Sequence, residues 1–295
     1  MNKPVNLPSS GTTHRNLWAV LAVFALLPLQ AQAQYLSPGQ LDNLVSRIAL
    51  YPDPLLAQVL TASTYYDQIP YASAWADQHS YLQGDELARA IYADNLDWDA
   101  SVQALLPFPS VLDSMEQDPG WTQALGNAVL TARVEVMDAI QRMRHRAYDY
   151  GYLRNCSQFR VVAGGSVIEI APTNLGMIYV PVYDPYWIYA QRRPGFSFRM
   201  TFGPRIIIGA SFGPVGWRAP RFDWRARTVI IDDRPWGRTA ANRANYVHEY
   251  RNPPVRRAPV SQREYRESHE TRPNRSAHGQ RNEPARRDQR KDRRR

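Results

Sequence analysis

Cysteine is almost missing from this chain. Cys156 is the single one in 295 residues, so no disulfide can form within the chain and the fold must rest on an apolar core. No histidine neighbours Cys156, which therefore reads as a small connector residue, with a reactive thiol as the alternative. Histidines stand at 14, 79, 145, 248, 269 and 278, and no pair has the i, i+4 spacing of a helix-face metal site. There is no Gly-x-Ser-x-Gly elbow and no phosphate-cradling loop. Gly164-Gly165 is too short for the latter and reads as a hairpin turn. No metal and no cofactor is expected. Lysine is also scarce: two of the 36 cations are Lys, and the rest are Arg, whose fork suits carboxylate and phosphate.

Long apolar runs are limited to one, Leu17 to Leu29. Its thirteen residues fall short of the roughly twenty that span a bilayer, and Pro28 and Gln30 end it. Lys3, His14 and Arg15 precede it, and Ala31-Gln32-Ala33 follows with small residues at the two positions a signal peptidase reads. Residues 1–33 are expected to be a signal peptide cleaved near Ala33; an uncleaved anchor is the alternative. No cysteine follows the run, which excludes a lipoprotein anchor there. No later segment is apolar enough to span, so no transmembrane helix is expected in the mature chain, which should be periplasmic or secreted.

What is present is charge, unevenly spread. The net +9 hides an acidic stretch, residues 34–154, with seven Arg against fifteen acids. Residues 251–295 carry fifteen basic residues against six acids. That pattern is a basic appendage on an acidic body rather than a basic domain.

Residues 34–154 read as a helical domain. Leu41, Leu44, Val45 and Ile48 share one helix face, and a second helix begins near Pro54. Another starts at Gly84-Asp85-Glu86, and Asp99 or Ser101 caps a short one ending near Leu106. Asp118-Pro119 opens the strongest helix. It is expected to run unbroken to Tyr150-Gly151, with Trp121, Leu125, Val129, Val136, Ile140 and Met143 on one face and an Asp138–Arg142 pair on the other. Residues 155–231 switch to β: a hairpin over Phe159–Val162 and Val167–Ile170, a strand at Met177–Tyr183 with Pro181 marking an edge or end, and short strands around Ile206–Ile208 and Val229–Ile231. Residues 232–295 lose apolar content and are expected to be disordered. The fold class is α+β: a helical domain, a small antiparallel sheet packed on it, then a disordered tail.

Several stretches in fixed order carry a resemblance. Ile48-Ala49-Leu50-Tyr51-Pro52-Asp53, Leu55 to Leu60 and Ala62-Ser63-Thr64-Tyr65 lead it. Trp98-Asp99, Pro107-Phe108-Pro109, Trp121-Thr122, Val136 to Gln141 and Tyr179 to Pro185 follow. Over about residues 40–190 the chain resembles a bacterial exported family catalogued as a domain of unknown function, number thirty-three hundred. Tyr66 and Leu175 stand where that pattern would have Pro. The resemblance implies an envelope or secreted location and a low-complexity C-terminal extension, and it implies no catalytic residues.

Three groups are candidates for function. Asp97 and Asp99 flank Trp98 and would serve as acid and base on a polysaccharide, or as helix-capping acids beside a core Trp. Tyr179, Tyr183, Tyr186, Trp187 and Tyr189 would form a platform for glycan rings or a Pro-rich ligand, or half-buried strand residues. Arg256, Arg257, Arg286, Arg287, Arg293, Arg294 and Arg295 in the tail suit an anionic envelope surface or polymer, or form a solvated linker. An exported protein rarely meets nucleic acid, so none is expected as a partner. The leading expectation is a non-enzymatic binding or scaffold protein; the alternative is a polysaccharide hydrolase.

Overall fold

A computed structural model describes residues 36–243, apart from residue 175, residues 192–199 and residues 209, 216 and 219. All of these lie in one compact unit, Met1–Glu249; a second unit, Tyr250–Arg295, lies outside the described residues. So do residues 1–33, expected to be a signal peptide, and the tail arginines from Arg256 onward.

Helix α1 (Pro38–Val45) starts at a capping box. Ser37 Oγ accepts from Gln40 N–H, and the Gln40 side chain accepts from Ser37 N–H. Helix α2 (Asp53–Ala62) is mostly apolar and buried at every position from Leu55 to Ala62, Gln58 and Thr61 included, so it is the axis of the unit. A 3-10 turn, Ser63–Tyr65, carries it into α3 (Ile69–Gln78). Helix α4 (Gly84–Ala93) has Asp85 and Glu86 in its first turn, where they meet the positive end of the helix dipole. The short α5 (Ala100–Gln103) is capped by Asp99, and α6 (Pro109–Gln117) begins on Pro109.

The helix from Asp118 is not a single one. Asp118 caps α7 (Pro119–Thr131), and α8 (Arg133–Asp149) follows after a break at Ala132, whose φ is −143° and ψ 46°. No Pro or Gly marks the break. Tertiary bonds take the place of helical ones: Ala240 N–H donates to Leu130 C=O, and the Arg133 guanidinium donates to the carbonyls of Trp236 and Arg238. Leu125, Val129, Val136, Ile140 and Met143 are core as expected, while Trp121 is half-buried with its indole N–H on Leu44 C=O. The expected Asp138–Arg142 pair does not form. Arg142 reaches Asp42 at 2.7 Å, and Asp138 takes Arg227 at 2.8 Å.

Among the described residues the expected antiparallel sheet is divided into three small antiparallel ones. Strands β1 (Phe159–Gly164) and β2 (Val167–Pro172) form the expected hairpin, with Gly165 at φ 62° in the turn, a backbone glycine adopts freely. Strand β3 (Met177–Val182) pairs with β4 (Thr201–Ile207), and its register shifts between Tyr179 and Pro181. A four-residue helix, α9 (Pro185–Ile188), lies between them in sequence. Strands β5 (Arg221–Asp223), β6 (Thr228–Ile231) and β7 (Arg234–Pro235) make the third.

Side chains rather than a strand complete the outer edge of β2. The Gln141 amide both accepts from Ile168 N–H and donates to Ile168 C=O, and Asp53 accepts from Ile170 N–H. This satisfies backbone groups that burial would otherwise leave costly. Arg144, with none of its side chain exposed, closes the join: it bonds the carbonyls of Ala49, Tyr51 and Ile168 and meets Asp53 at 2.7 Å.

The tail is expected to begin at 232, but Arg234–Pro235 pair with β6, and Trp236, Arg238, Ala240 and Arg243 fasten the segment to the helical part. Arg133 lies over the Trp236 ring at 4.5 Å, and Arg238 is buried over Tyr65 at 3.6 Å, donating to Thr64 C=O and Oγ1. Arg243 donates to the Tyr66 hydroxyl. Cation–π and carbonyl contacts anchor this strap, and apolar content does not register them.

Candidate functional site

The aromatic run divides into two groups. Tyr183 and Tyr189 turn inward, both donating to Ser46 C=O, and Tyr183 also accepts from Leu50 N–H. Burial raises both phenols well above their ordinary pKa, and it pushes neighbouring Tyr51 to about 12. They are neutral structural hydroxyls at physiological pH. Tyr179 is half-buried on β3. Tyr186 and Trp187, on α9, are exposed and meet edge to face at 4.9 Å. One continuous platform is not formed.

The carboxylates beside Trp98 are also separated by role. Asp99 accepts from the N–H and the hydroxyl of Ser101 as the cap of α5. Asp97 is exposed, and Trp98 between them is buried. Cys156 is half-buried with its sulfur near Phe159 C=O. Among the described residues no cluster of three or more His, Cys, Asp or Glu is placed to hold a metal ion.

What sequence reasoning missed is an open groove of about 860 Å³ along the outer stripe of α8. Asp138, Arg142, His145, Arg146 and Asp149 recur at helical spacing and form one wall. Ser166 and Val167 of the β1–β2 turn and the β5–β6 connection, Trp224 to Arg227, form the other. Its lining holds four arginines, Arg142, Arg146, Arg225 and Arg227, against two aspartates. Arg142 and Arg146 stand in the acidic stretch 34–154, whereas Arg225 and Arg227 come from residues 155–250, which hold twelve Arg against six acids. Each wall is held by the scaffold. Trp224 donates its indole N–H to Asp53, lies under the Arg144 guanidinium at 5.0 Å, and packs on Phe222 at 4.4 Å. Asp138 bonds the Arg227 guanidinium and keeps it firmly charged. His145 meets Ser166 C=O across the floor.

The available signal in the sequence was the arginine spacing on α8, where 142 and 146 fall on one stripe. The opposite wall comes from far along the chain, Asp138 and Arg227 being 89 positions apart, so composition could not join them.

Comparison with known proteins agrees with the motifs. The chain is 32% identical over 187 residues to "Uncharacterized protein YacH" of Escherichia coli (strain K12), a match covering 52% of this chain and 30% of that protein. The chain thus spans less than a third of that relative's length. No solved structure matches it significantly. The pattern described as "Protein of unknown function (DUF3300)" matches residues 37–269, most of the chain, and the chain therefore belongs to that family.

Proposed function

We propose that this is an exported, non-enzymatic binding or scaffold protein of the bacterial cell envelope that contacts anionic envelope components. The observation that carries the reading is the lining of the α8 groove, where four arginines gather against two aspartates. Guanidinium forks pair with phosphate and carboxylate in bidentate fashion. The arginine-rich stretch 251–295 supplies a second, larger basic element on the same chain. The apolar run and Ala31-Gln32-Ala33 support export. The titratable groups of the folded unit support binding over catalysis, because many of them serve the fold: Asp53 joins elements, Asp99 and Asp118 cap helices, and Asp138 braces Arg227. The hydrolase alternative needs Asp97 and Asp99 to act together across a substrate, whereas Asp99 is committed to Ser101.

The test is co-sedimentation of the mature chain, and of a chain ending at Tyr250, with anionic and neutral vesicles and with lipopolysaccharide. The reading expects binding to the anionic partners, strongest for the full chain. Failure of both chains to bind any anionic partner would overturn it.

A further inference from the structure

We infer that the groove between α8 and the β5–β6 connection is a binding site for an acidic saccharide, a chain of sugar or polyol units carrying phosphate or carboxylate groups. This rests on the anion-binding reading above and names the ligand that the folded unit would take.

Four features select that class. The first is the supply of cations. Arg225 makes no side-chain ion pair or hydrogen bond among the described residues, and Arg146 has a long ion pair to Asp42 at 3.9 Å and a weak hydrogen bond to Met143 Sδ. Arg142 and Arg227 are held by Asp42 and Asp138, so they add oriented charge at little further entropic cost. The second is spacing. The arginines sit on opposite walls, on α8 and on the β5–β6 connection, which suits several anionic groups along a chain better than one small ion. The third is size: about 860 Å³ falls within the roughly 300–1,000 Å³ typical of ligand sites. The fourth is what the groove withholds. Its one indole, Trp224, is 8% exposed and already engaged by Arg144 and Phe222, so the largest ring of the lining is not offered for stacking, and His145 is tied to Ser166 C=O. The remaining lining offers hydrogen bonds from Ser166 and Tyr150, which suit hydroxyl-rich units.

The experiment is calorimetric titration of the full mature chain with four probes. These are a galacturonic acid oligomer, a glycerol phosphate oligomer, a neutral glucose oligomer of similar length, and inorganic phosphate. At least one charged oligomer is expected to bind and the neutral one not, and the tighter of the two charged probes identifies carboxylate or phosphate. Arg225→Glu should weaken that binding about tenfold or more while the thermal midpoint stays in place, since the side chain is exposed. Arg146→Glu serves as the independent second variant. A control with Arg286, Arg287, Arg293, Arg294 and Arg295 all changed to Gln should retain groove binding. Wild-type affinity in both groove variants would overturn the inference, as would equal binding of the neutral oligomer or of inorganic phosphate. If the tail variant alone loses binding, the groove assignment is wrong and the anion-binding reading stands. If no anionic probe or vesicle binds, that reading falls as well.

Discussion

Arg144 lies at the join of three elements, and none of its side chain is exposed. Its guanidinium joins α8 to the Tyr51-Pro52-Asp53 turn and to β2, with Trp224 packed against it. Burying a charge is expensive, and here the cost is offset by a carboxylate and three carbonyls. Removing one partner leaves the others unpaired, so Arg144→Met is expected to cost about 3–5 kcal/mol in a denaturant melt. Arg144→Lys should not restore it, because an ammonium cannot reproduce the fork. A wild-type midpoint for the Met variant would mean that the hairpin docks by other means. The acid trio on α3 and α6 makes the opposite kind of contribution. Burial, then repulsion from Asp113 and Glu116, raises the pKa of Asp77, and burial first also raises that of Asp113. A carboxyl raised in the folded state favours folding while protonated and disfavours it once pH climbs through the raised value. Asp77→Asn should therefore raise the thermal midpoint at pH 7 and leave it unchanged near pH 3. A lower midpoint at pH 7 would show that the carboxylate makes a favourable contact instead.

At the scale of elements, local chemistry was legible and tertiary chemistry was not. Asp118-Pro119, Gly84-Asp85-Glu86 and Asp99 announce helix starts because a cap is a bond between near neighbours. The Gly165 hairpin is legible for the same reason. The break at Ala132 is not, since it depends on Leu130 C=O meeting Ala240 N–H. The strap over residues 232–243 was hidden because Arg238 is buried over Tyr65 and Trp236 is half-buried beneath Arg133, partners that composition counts as polar or remote. Edge satisfaction of β2 by Gln141 and Asp53 is equally non-local. Packing of α7 gives a sharp test. Gly→Ala inside a helix normally stabilises by about 0.5–1 kcal/mol. A Cβ on Gly126, however, would collide with the Ser63 carbonyl at the 3-10 turn. Gly126→Ala is thus expected to destabilise, by about 1–3 kcal/mol, in the same denaturant assay. A stabilised variant would show that α7 and the turn are not in close contact.

For the whole molecule, an acidic helical stretch, an arginine-lined groove and a basic C-terminal stretch lie on one chain, and we propose that this chain is exported. Export itself is checked by intact mass of the protein from the envelope fraction. The expected species begins at Gln34, whereas a species retaining Leu17 to Leu29 would mean an anchor. The central claim is that binding is electrostatic and directed at anionic envelope components. Attraction of that kind weakens as salt shortens the screening length, which is about 8 Å at physiological ionic strength and about 3 Å at 1 M. The most direct measurement is the affinity of the mature full chain for anionic vesicles and for lipopolysaccharide across that salt range, with neutral vesicles alongside. The account predicts tight binding at low salt, a steep loss as salt rises, and no binding to neutral vesicles. Binding that is indifferent to salt, or equal on neutral and anionic surfaces, would contradict it.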